Sequence, residues 1–198
     1  MIKIKNRLIG PTEEPYVIAE LSANHNGSLE RAKQTIDAAK AAGAHAVKIQ
    51  SYTPDTMTID CSKEDFQINT GLWKGCSLYQ LYSLAQTPFE WHQDLFHHAK
   101  KTGITLFSTP FDETAVELLE KLDTPAYKLS SFEITDIPLI RAVAQTKKPI
   151  LMSTGMATLE EIGEAIEAAK SVGNNNIILL HCISSYPASL ECANLQNI

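Results

Sequence analysis

The chain alternates short apolar runs with longer segments of helical periodicity. The apolar runs end on polar residues and cover residues 17–20, 46–50, 105–108, 127–131, 150–154 and 177–181. Short apolar runs separated by amphipathic helices are typical of buried parallel strands in βα units. The carboxyl ends of parallel strands meet at one edge of a sheet, where βα proteins place their chemistry. The pattern therefore predicts six βα units with their polar strand ends on one edge.

Capping signals set the bounds of the predicted helices. The boxes Thr87-Pro88-Phe89-Glu90 and Thr158-Leu159-Glu160-Glu161 each open a helix, and a further helix covers residues 28–42. Glycines end these three helices, at Gly43, Gly103 and Gly173. Two more helices are predicted over about residues 113–122 and 138–146. We expect His92, His97 and His98, which share the helix after Pro88, to be solvated.

Residues 51–86 carry no clear period and contain Pro54, Gly71 and Gly75. A connection of this length is uncommon in a compact domain unless it contributes to a site. We therefore predict an active-site loop between the second and third strands.

Two architectures contain parallel strands that are each followed by a helix: an open doubly wound sheet and a closed eight-stranded barrel. No GxGxxG turn follows the first strand, and the candidate polar groups are spread over many strand ends, as in barrels. A barrel needs eight strands and roughly 250 residues. The sequence thus predicts an α/β protein with an incomplete TIM (β/α)8-type barrel over residues 16–198, preceded by an N-terminal strand or hairpin over residues 1–15.

Composition narrows the possible partners. The chain has 198 residues, 44% of them hydrophobic, and a net charge of -6 with a pI near 5.5. An acidic chain of this kind disfavours a broad nucleic-acid or membrane surface, and no apolar run approaches the roughly 20 residues that cross a bilayer. The cysteines show no CxxC spacing, which favours free thiols over a disulfide or zinc site. We expect a cytoplasmic protein.

The strand ends carry a set of groups suited to binding an anion. Lys48 and Lys128 supply cations, and serine hydroxyls and backbone amides add donors. Two carboxylates, Glu20 and Glu133, can handle protons, and Gln50 can bond a polar substrate. The remaining candidates are Ser131, Ser153, Ser184 and Tyr186. By themselves these residues predict an anion-binding barrel enzyme.

Six motifs in chain order resemble signatures of the sialic acid synthase family. They are Ile18-Ala19-Glu20-Leu21-Ser22-Ala23-Asn24-His25-Asn26-Gly27, Val47-Lys48-Ile49-Gln50, Ser108-Thr109-Pro110-Phe111, Tyr127-Lys128-Leu129-Ser130-Ser131-Phe132-Glu133, Ser153-Thr154-Gly155-Met156 and Leu180-His181-Cys182-Ile183-Ser184-Ser185-Tyr186-Pro187. Residues 130–134 and 75–82 look more like the pseudaminic acid synthases than the N-acetylneuraminate synthases, which tend to have Gly-Ser-Gly-Glu in the fourth motif. Ser184 departs from the asparagine that the neuraminate enzymes favour.

The resemblance implies an enzyme that condenses phosphoenolpyruvate with an acetamido-sugar aldehyde to form a nine-carbon 2-keto acid and phosphate. Pseudaminic acid is the expected product, followed by N-acetylneuraminic or legionaminic acid. Motif by motif, the phosphoenolpyruvate positions match Lys48, Lys128, Ser131, Ser153 and Ser184, and the sugar-facing positions match Gln50, Glu133 and Tyr186. Glu20 matches an acid that orients or protonates reacting groups. Glu20 and Glu133 are the expected catalytic residues.

The family also uses a divalent metal, Mn²⁺ or Mg²⁺, and works as a homodimer with a C-terminal antifreeze-like domain. The expected histidine ligands lie beyond Ile198, so no metal ligand is assigned in this chain, and His181 is not promoted to that role. We therefore expect the 198 residues alone to show little activity. Two alternatives stay open: another phosphoenolpyruvate- or phosphosugar-using barrel enzyme, such as a 3-deoxy-keto-acid synthase or an aldolase, or an inactive anion-binding fragment.

Overall fold

A computed structural model describes residues 1–71, 73–185 and 188–198, without the side chain of Asn197. The described residues form two compact units. One unit comprises residues 15–124, and the other comprises residues 1–14 together with 125–198.

The strands, in chain order, are β1 (Ile2–Ile4), β2 (Arg7–Ile9), β3 (Ile18–Glu20), β4 (Ala46–Ser51), β5 (Thr105–Pro110), β6 (Tyr127–Leu129), β7 (Ile150–Ser153) and β8 (Ile177–Leu180). The α-helices are α1 (Leu29–Ala41), α2 (Pro54–Met57), α3 (Leu78–Ala85), α4 (Phe89–Thr102), α5 (Glu113–Lys121), α6 (Ile137–Gln145) and α7 (Leu159–Ser171). Short 3-10 helices cover Glu64–Phe66, Glu133–Thr135, Leu190–Cys192 and Leu195–Asn197.

In the unit of residues 15–124, β3, β4 and β5 form parallel pairs. Helix α1 turns Ala32 and Ile36 toward the core, and α4 turns Leu95 and Ala99 toward it. These pairs are four residues apart, so each lies on one face of its helix. They pack with strand residues in one buried cluster, which also contains Leu21, Val47, Ile49, Ile104 and Leu106. This layer of helices covers one face of the strands.

The other unit contains an antiparallel hairpin and a second set of parallel strands. Strand β1 pairs with β2 in the hairpin, and β7 pairs with both β6 and β8. Helices α6 and α7 pack against one another, and their buried faces consist of Leu139, Ile140, Val143, Ala144, Ala165, Ala168 and Ala169. The alanines of α7 allow the two helices to approach closely. In both units, sheet order follows chain order.

The α/β class and the six predicted parallel strands are confirmed, with bounds that differ by a few residues at most. The capping box of Thr158 is also confirmed, because its hydroxyl accepts from the Glu161 N–H at 3.2 Å. The box at Thr87 is wrong. Helix α4 begins one residue later, with Pro88 at its N-cap, and the buried Thr87 hydroxyl makes no cap hydrogen bond.

The segment over residues 51–86 is more regular than predicted. It contains α2 and the two-turn helix α3, which the sequence analysis missed. The local signal was present, since the Ser77 hydroxyl accepts from the Gln80 N–H and the Gln80 side chain accepts from the Ser77 N–H. Its role as an active-site loop stays a prediction.

None of the helices within the described residues is long and apolar enough to cross a bilayer. Closure into an eight-stranded barrel, an antifreeze-like domain and the division into domains at residue 16 stay predictions.

Candidate active site

In the unit of residues 15–124, strand register brings three predicted site residues to neighbouring strand ends. Glu20 of β3 is the partner of Lys48 on β4, and Gln50 is the partner of Thr109 on β5. Side chains alternate along a strand, so Lys48 and Gln50 point away from the face that buries Val47 and Ile49. The candidate polar groups therefore share the face opposite to the helices α1 and α4.

Lys48 is held between a carboxylate and a hydroxyl. Its Nζ lies 2.5 Å from Glu20 Oε2 and donates to Thr109 Oγ1 at 3.1 Å. The Lys48 side chain is 13% exposed, whereas the Glu20 side chain is 44% exposed. The ammonium is thus fixed in place while its partner carboxylate remains open to a ligand. An anion that approaches Lys48 meets a cation whose position is already set.

Gln50 joins the same cluster through Ser22, just after β3. The Ser22 hydroxyl donates to Gln50 Oε1 at 3.2 Å, and the Ser22 N–H donates to Glu20 Oε1 at 3.0 Å. Both oxygens of the Glu20 carboxylate consequently have a donor within this cluster. A continuous series of contacts runs from Gln50 through Ser22, Glu20 and Lys48 to Thr109.

A buried network lies on the opposite face of the same strand ends. His92 Nε2 is 2.7 Å from Ser51 Oγ, which is 2.6 Å from Ser108 Oγ, and His92 Nδ1 is 3.0 Å from the Pro88 carbonyl oxygen. A carbonyl only accepts, so Nδ1 carries the proton and the Ser51 hydroxyl donates to Nε2. Burial lowers the pKa of His92, consistent with a neutral ring. The network ties α4 to residues adjacent to Gln50 and Thr109.

The prediction that the three histidines of α4 are solvated is therefore wrong for His92, which is fully buried. His98 is partly buried and bonds Asp37 Oδ1 at 2.8 Å, and only His97 is exposed. The apolar stripe on α4 did not identify His92 as a core position, because its buried side-chain partner Ser51 is 41 residues away in the chain.

In the second unit, the loops after β6, β7 and β8 bring serine side chains together. The Gly155 N–H donates to Ser131 Oγ at 3.3 Å, and a Cβ at Gly155 would lie 2.6 Å from Ser184 Oγ. Ser153 is buried and accepts from the Cys182 thiol at 3.1 Å. Three predicted anion-binding residues thus gather around Gly155, whose lack of a side chain permits the close approach.

Lys128 and Glu133 form the charged part of this second group. Burial raises the pKa of Glu133 to about 7, and the opposing influence of Lys128 is smaller. The Ser130 hydroxyl donates to Glu133 Oε2. A carboxyl group with a pKa near neutrality can both give and accept a proton at physiological pH, as a general acid or base requires. The catalytic role of Glu133 stays a prediction, and a pKa near neutrality is compatible with it.

The raised pKa of Glu133 predicts a pH-dependent contribution to stability. In the folded protein the Glu133 carboxyl keeps its proton up to about pH 7. In the unfolded chain its pKa has the ordinary value of 4.5, so the proton is released at lower pH there. We expect the free energy of unfolding of the wild type, relative to Glu133→Gln, to fall as pH rises from 4.5 to 7 and to level off above that. Denaturant titrations of both proteins across this range measure the difference.

Glu161 provides a contrast for this experiment. Hydrogen bonds from Thr158 lower the pKa of its carboxyl. The wild type, relative to Glu161→Gln, is therefore expected to lose stability as pH falls below 4.5, a slope of the opposite sign. A flat difference for Glu133→Gln between pH 4.5 and 7 would contradict the assigned environment of Glu133.

The requirement for a divalent metal stays a prediction. The described residues contain no group of three or more His, Cys, Asp or Glu side chains that could hold a metal ion. His181, which is not predicted to be a metal ligand, bonds the carbonyl oxygen of Ala193 through Nε2 at 3.0 Å.

The structure therefore joins Glu20, Lys48 and Gln50 in one unit, and places Lys128 with Glu133 and Ser131 with Ser184 in the other. That both groups act on one anion stays a prediction. Tyr186 lies outside the described residues. Thr109 and Ser22 are members of the site that the residue pattern did not single out, although both fall within the motifs that carried the resemblance.

Comparison with known proteins identifies the family. The NeuB family model matches residues 35–198. The chain is 49% identical over 183 residues to the pseudaminic acid synthase of Campylobacter jejuni and 48% identical over 186 residues to that of Helicobacter pylori. These alignments cover 92% and 94% of this chain but 53% and 55% of those enzymes, so the chain spans about half the length of these relatives.

A solved structure agrees with this result. The N-acetylneuraminic acid synthetase of Leptospira borgpetersenii, crystallised with citrate, superposes with a TM-score of 0.86 at 30% identity, over 100% of this chain and 64% of that one. The resemblance drawn from six sequence motifs is thus confirmed by the family model, the relatives and the fold. The chain belongs to the NeuB family.

Proposed function

We propose that the protein carrying this chain condenses phosphoenolpyruvate with an acetamido-sugar aldehyde to a nine-carbon 2-keto acid. A 2,4-diacetamido-2,4,6-trideoxyhexose is the proposed sugar and pseudaminic acid the proposed product. One water is consumed and one phosphate is released for each product formed. The identity of about 49% to a pseudaminic acid synthase favours this sugar over the neuraminate and legionaminate precursors.

The observation that carries the proposal is the fixed Lys48 ammonium with its partly open Glu20 partner. A cation held by a carboxylate and the Thr109 hydroxyl can receive an anionic ligand with little reorganisation. The serines around Gly155 offer further donors of the kind that bind phosphate or carboxylate oxygens. Each set by itself offers donors suited to the carboxylate or the phosphate of phosphoenolpyruvate.

The proposed reaction moves charge in each step. The enol carbon attacks the sugar aldehyde, and positive charge develops at the carbon that bears the bridging oxygen. Water adds there, and phosphate leaves by cleavage of the carbon–oxygen bond. Carboxylates stabilise the developing positive charge, and the lysines stabilise the departing phosphate. Glu133, with a pKa of about 7, is the proposed group for proton transfer to the aldehyde oxygen or from the attacking water.

The test is an assay of the natural protein that contains this sequence. Phosphoenolpyruvate labelled with ¹⁸O at the bridging oxygen is supplied with either N-acetylmannosamine or 2,4-diacetamido-2,4,6-trideoxyhexose, with and without added Mn²⁺. We expect ¹⁸O in the released phosphate and a product of pseudaminic acid mass with the second sugar. Unlabelled phosphate, or turnover with N-acetylmannosamine alone, would contradict the proposed reaction or the proposed sugar respectively.

A trapping experiment separates an aldolase from the proposed enzyme. An aldolase would bind its carbonyl substrate to a strand-end lysine as a Schiff base, which borohydride traps as a stable adduct. We expect no adduct on Lys48 or Lys128. Binding of phosphoenolpyruvate without any product would favour an anion-binding protein. A homodimer, a cytoplasmic location and a requirement for Mn²⁺ or Mg²⁺ are part of the proposal and are checked by sedimentation, fractionation and chelation.

A further inference from the structure

Ser22 has a backbone conformation that is unusual for a residue with a side chain. Its φ is +48°, in the left-handed region that glycine adopts without strain. Ser22 is the second residue after Glu20, with which β3 ends. Non-glycine residues in this region are found where the surrounding structure holds them, and they concentrate at functional sites.

The left-handed turn directs two donors of Ser22 toward two different candidate residues. Its N–H reaches Glu20 Oε1 at 3.0 Å, and its hydroxyl reaches Gln50 Oε1 at 3.2 Å. Glu20 is at the same time 2.5 Å from Lys48. One residue therefore connects the charged pair to the amide of Gln50.

The contact with Ser22 determines which chemistry Gln50 can offer to a ligand. A side-chain amide has an oxygen that accepts and an NH₂ group that donates. Because the Ser22 hydroxyl donates to the oxygen, the NH₂ group is the part that remains for a substrate. Gln50 in this orientation recognises an acceptor, such as a carbonyl or hydroxyl oxygen of a sugar.

We propose that Ser22 is a positioning residue that orients Gln50 as a hydrogen-bond donor to the acetamido sugar, an inference that rests on the proposed function. Its effect falls on the sugar because its hydroxyl bonds Gln50. The affinity for phosphoenolpyruvate changes little when the hydroxyl is lost. The hydrogen bond from Ser22 to Glu20 comes from the backbone N–H, which every variant except proline retains.

Steady-state kinetics of four proteins test this inference. Ser22→Gly removes the hydroxyl and the backbone strain, and Ser22→Asn keeps a side chain that tolerates the left-handed region and can donate to Gln50. Asn26→Gly is the matched control, because Asn26 has a φ of +46° in the same loop and its side chain bonds none of the site residues named above. The wild type is the reference.

We expect Ser22→Gly to raise the KM for the sugar by roughly 3- to 10-fold, the effect of one hydrogen bond, with the KM for phosphoenolpyruvate unchanged. Ser22→Asn should recover most of the loss, and Asn26→Gly should leave both KM values unchanged. An unchanged sugar KM in Ser22→Gly, or an equal rise in both KM values, would overturn the inference. A wild type that forms no product would instead overturn the proposed function, and this inference with it.

Discussion

Gly155→Ala is expected to weaken phosphoenolpyruvate binding by about tenfold or more and to lower the melting temperature of the protein. The new Cβ would lie 2.6 Å from Ser184 Oγ and 2.7 Å from the Cys182 carbonyl oxygen. The serine can rotate away, but the carbonyl is backbone and must move with its loop. Overpacking of this kind typically costs about 1 to 3 kcal/mol, and tenfold in affinity corresponds to about 1.4 kcal/mol.

A shift of the loop that contains Gly155 would also separate the hydrogen-bonding groups that lie around this glycine. The Gly155 N–H bonds Ser131 Oγ at 3.3 Å, so a shift of the loop after β7 moves Gly155 relative to both Ser131 and Ser184. Isothermal titration with phosphoenolpyruvate and a thermal melt measure the two effects.

Gly163→Ala is the matched control for this substitution. Gly163 lies inside α7, and no described residue outside the backbone of that helix approaches within 4 Å of the position of its Cβ. Alanine is more favourable than glycine in a helix interior by about 0.8 to 1.0 kcal/mol. This variant should therefore be more stable than the wild type and should bind phosphoenolpyruvate normally. Equal affinities and equal melting temperatures for Gly155→Ala and the wild type would show that the loop carries no part of the anion site.

Lys128→Ala is expected to reduce the affinity for phosphoenolpyruvate by roughly 10- to 150-fold, the value of a hydrogen bond to a charged group. Lys128 is the middle residue of β6 and is partly buried, so solvent screens its charge less than at the surface. Titration calorimetry in the protein that contains this chain measures the loss.

The same substitution has a second readout. The Lys128 charge lowers the pKa of Glu133 from the value that burial alone would give, so its removal should raise the pKa of Glu133 above about 7. The limb of the pH–rate profile that Glu133 controls should then move to higher pH. A surface role for Lys128 would leave that limb where it is.

Lys170→Ala is the control for charge removal in the same unit. Lys170 is an exposed residue of α7 that pairs with Glu167 at 3.0 Å, and such surface pairs are worth about 0 to 1 kcal/mol. The Lys170→Ala substitution removes the same charge as Lys128→Ala, but at an exposed position on a helix. An effect of Lys170→Ala as large as that of Lys128→Ala would contradict the assignment of Lys128 to the anion site.

Local sequence determined the elements of this fold. Helical spacing of apolar residues and the box at Thr158 were sufficient for α1 and α7, because both signals involve residues within one or two turns. The missed helix α3 also had a local box, at Ser77 and Gln80, but its eight residues lay in a stretch that was assigned to a loop as a whole. The box at Thr87 was wrong because Pro88, rather than Thr87, holds the cap position.

The composition of the candidate site followed from the sequence, but its partners did not. Polar residues at the ends of apolar strands indicated Glu20, Lys48 and Gln50 without any structure. The bond of Ser22 to Gln50 joins residues 28 positions apart, and the bond of Lys48 to Thr109 joins residues 61 apart. Such contacts depend on strand register, which the hydrophobic pattern of a single strand does not specify.

The sequence by itself determined the order of strands and helices and the polar residues at the strand ends, because hydrophobic periodicity and capping act between near neighbours. Only the tertiary structure decided that His92 is buried, that Glu133 has a raised pKa and that Gly155 must lack a side chain. These properties depend on desolvation and close approach by residues distant in the chain. Desolvation and close approach arise only when the strands and helices pack together.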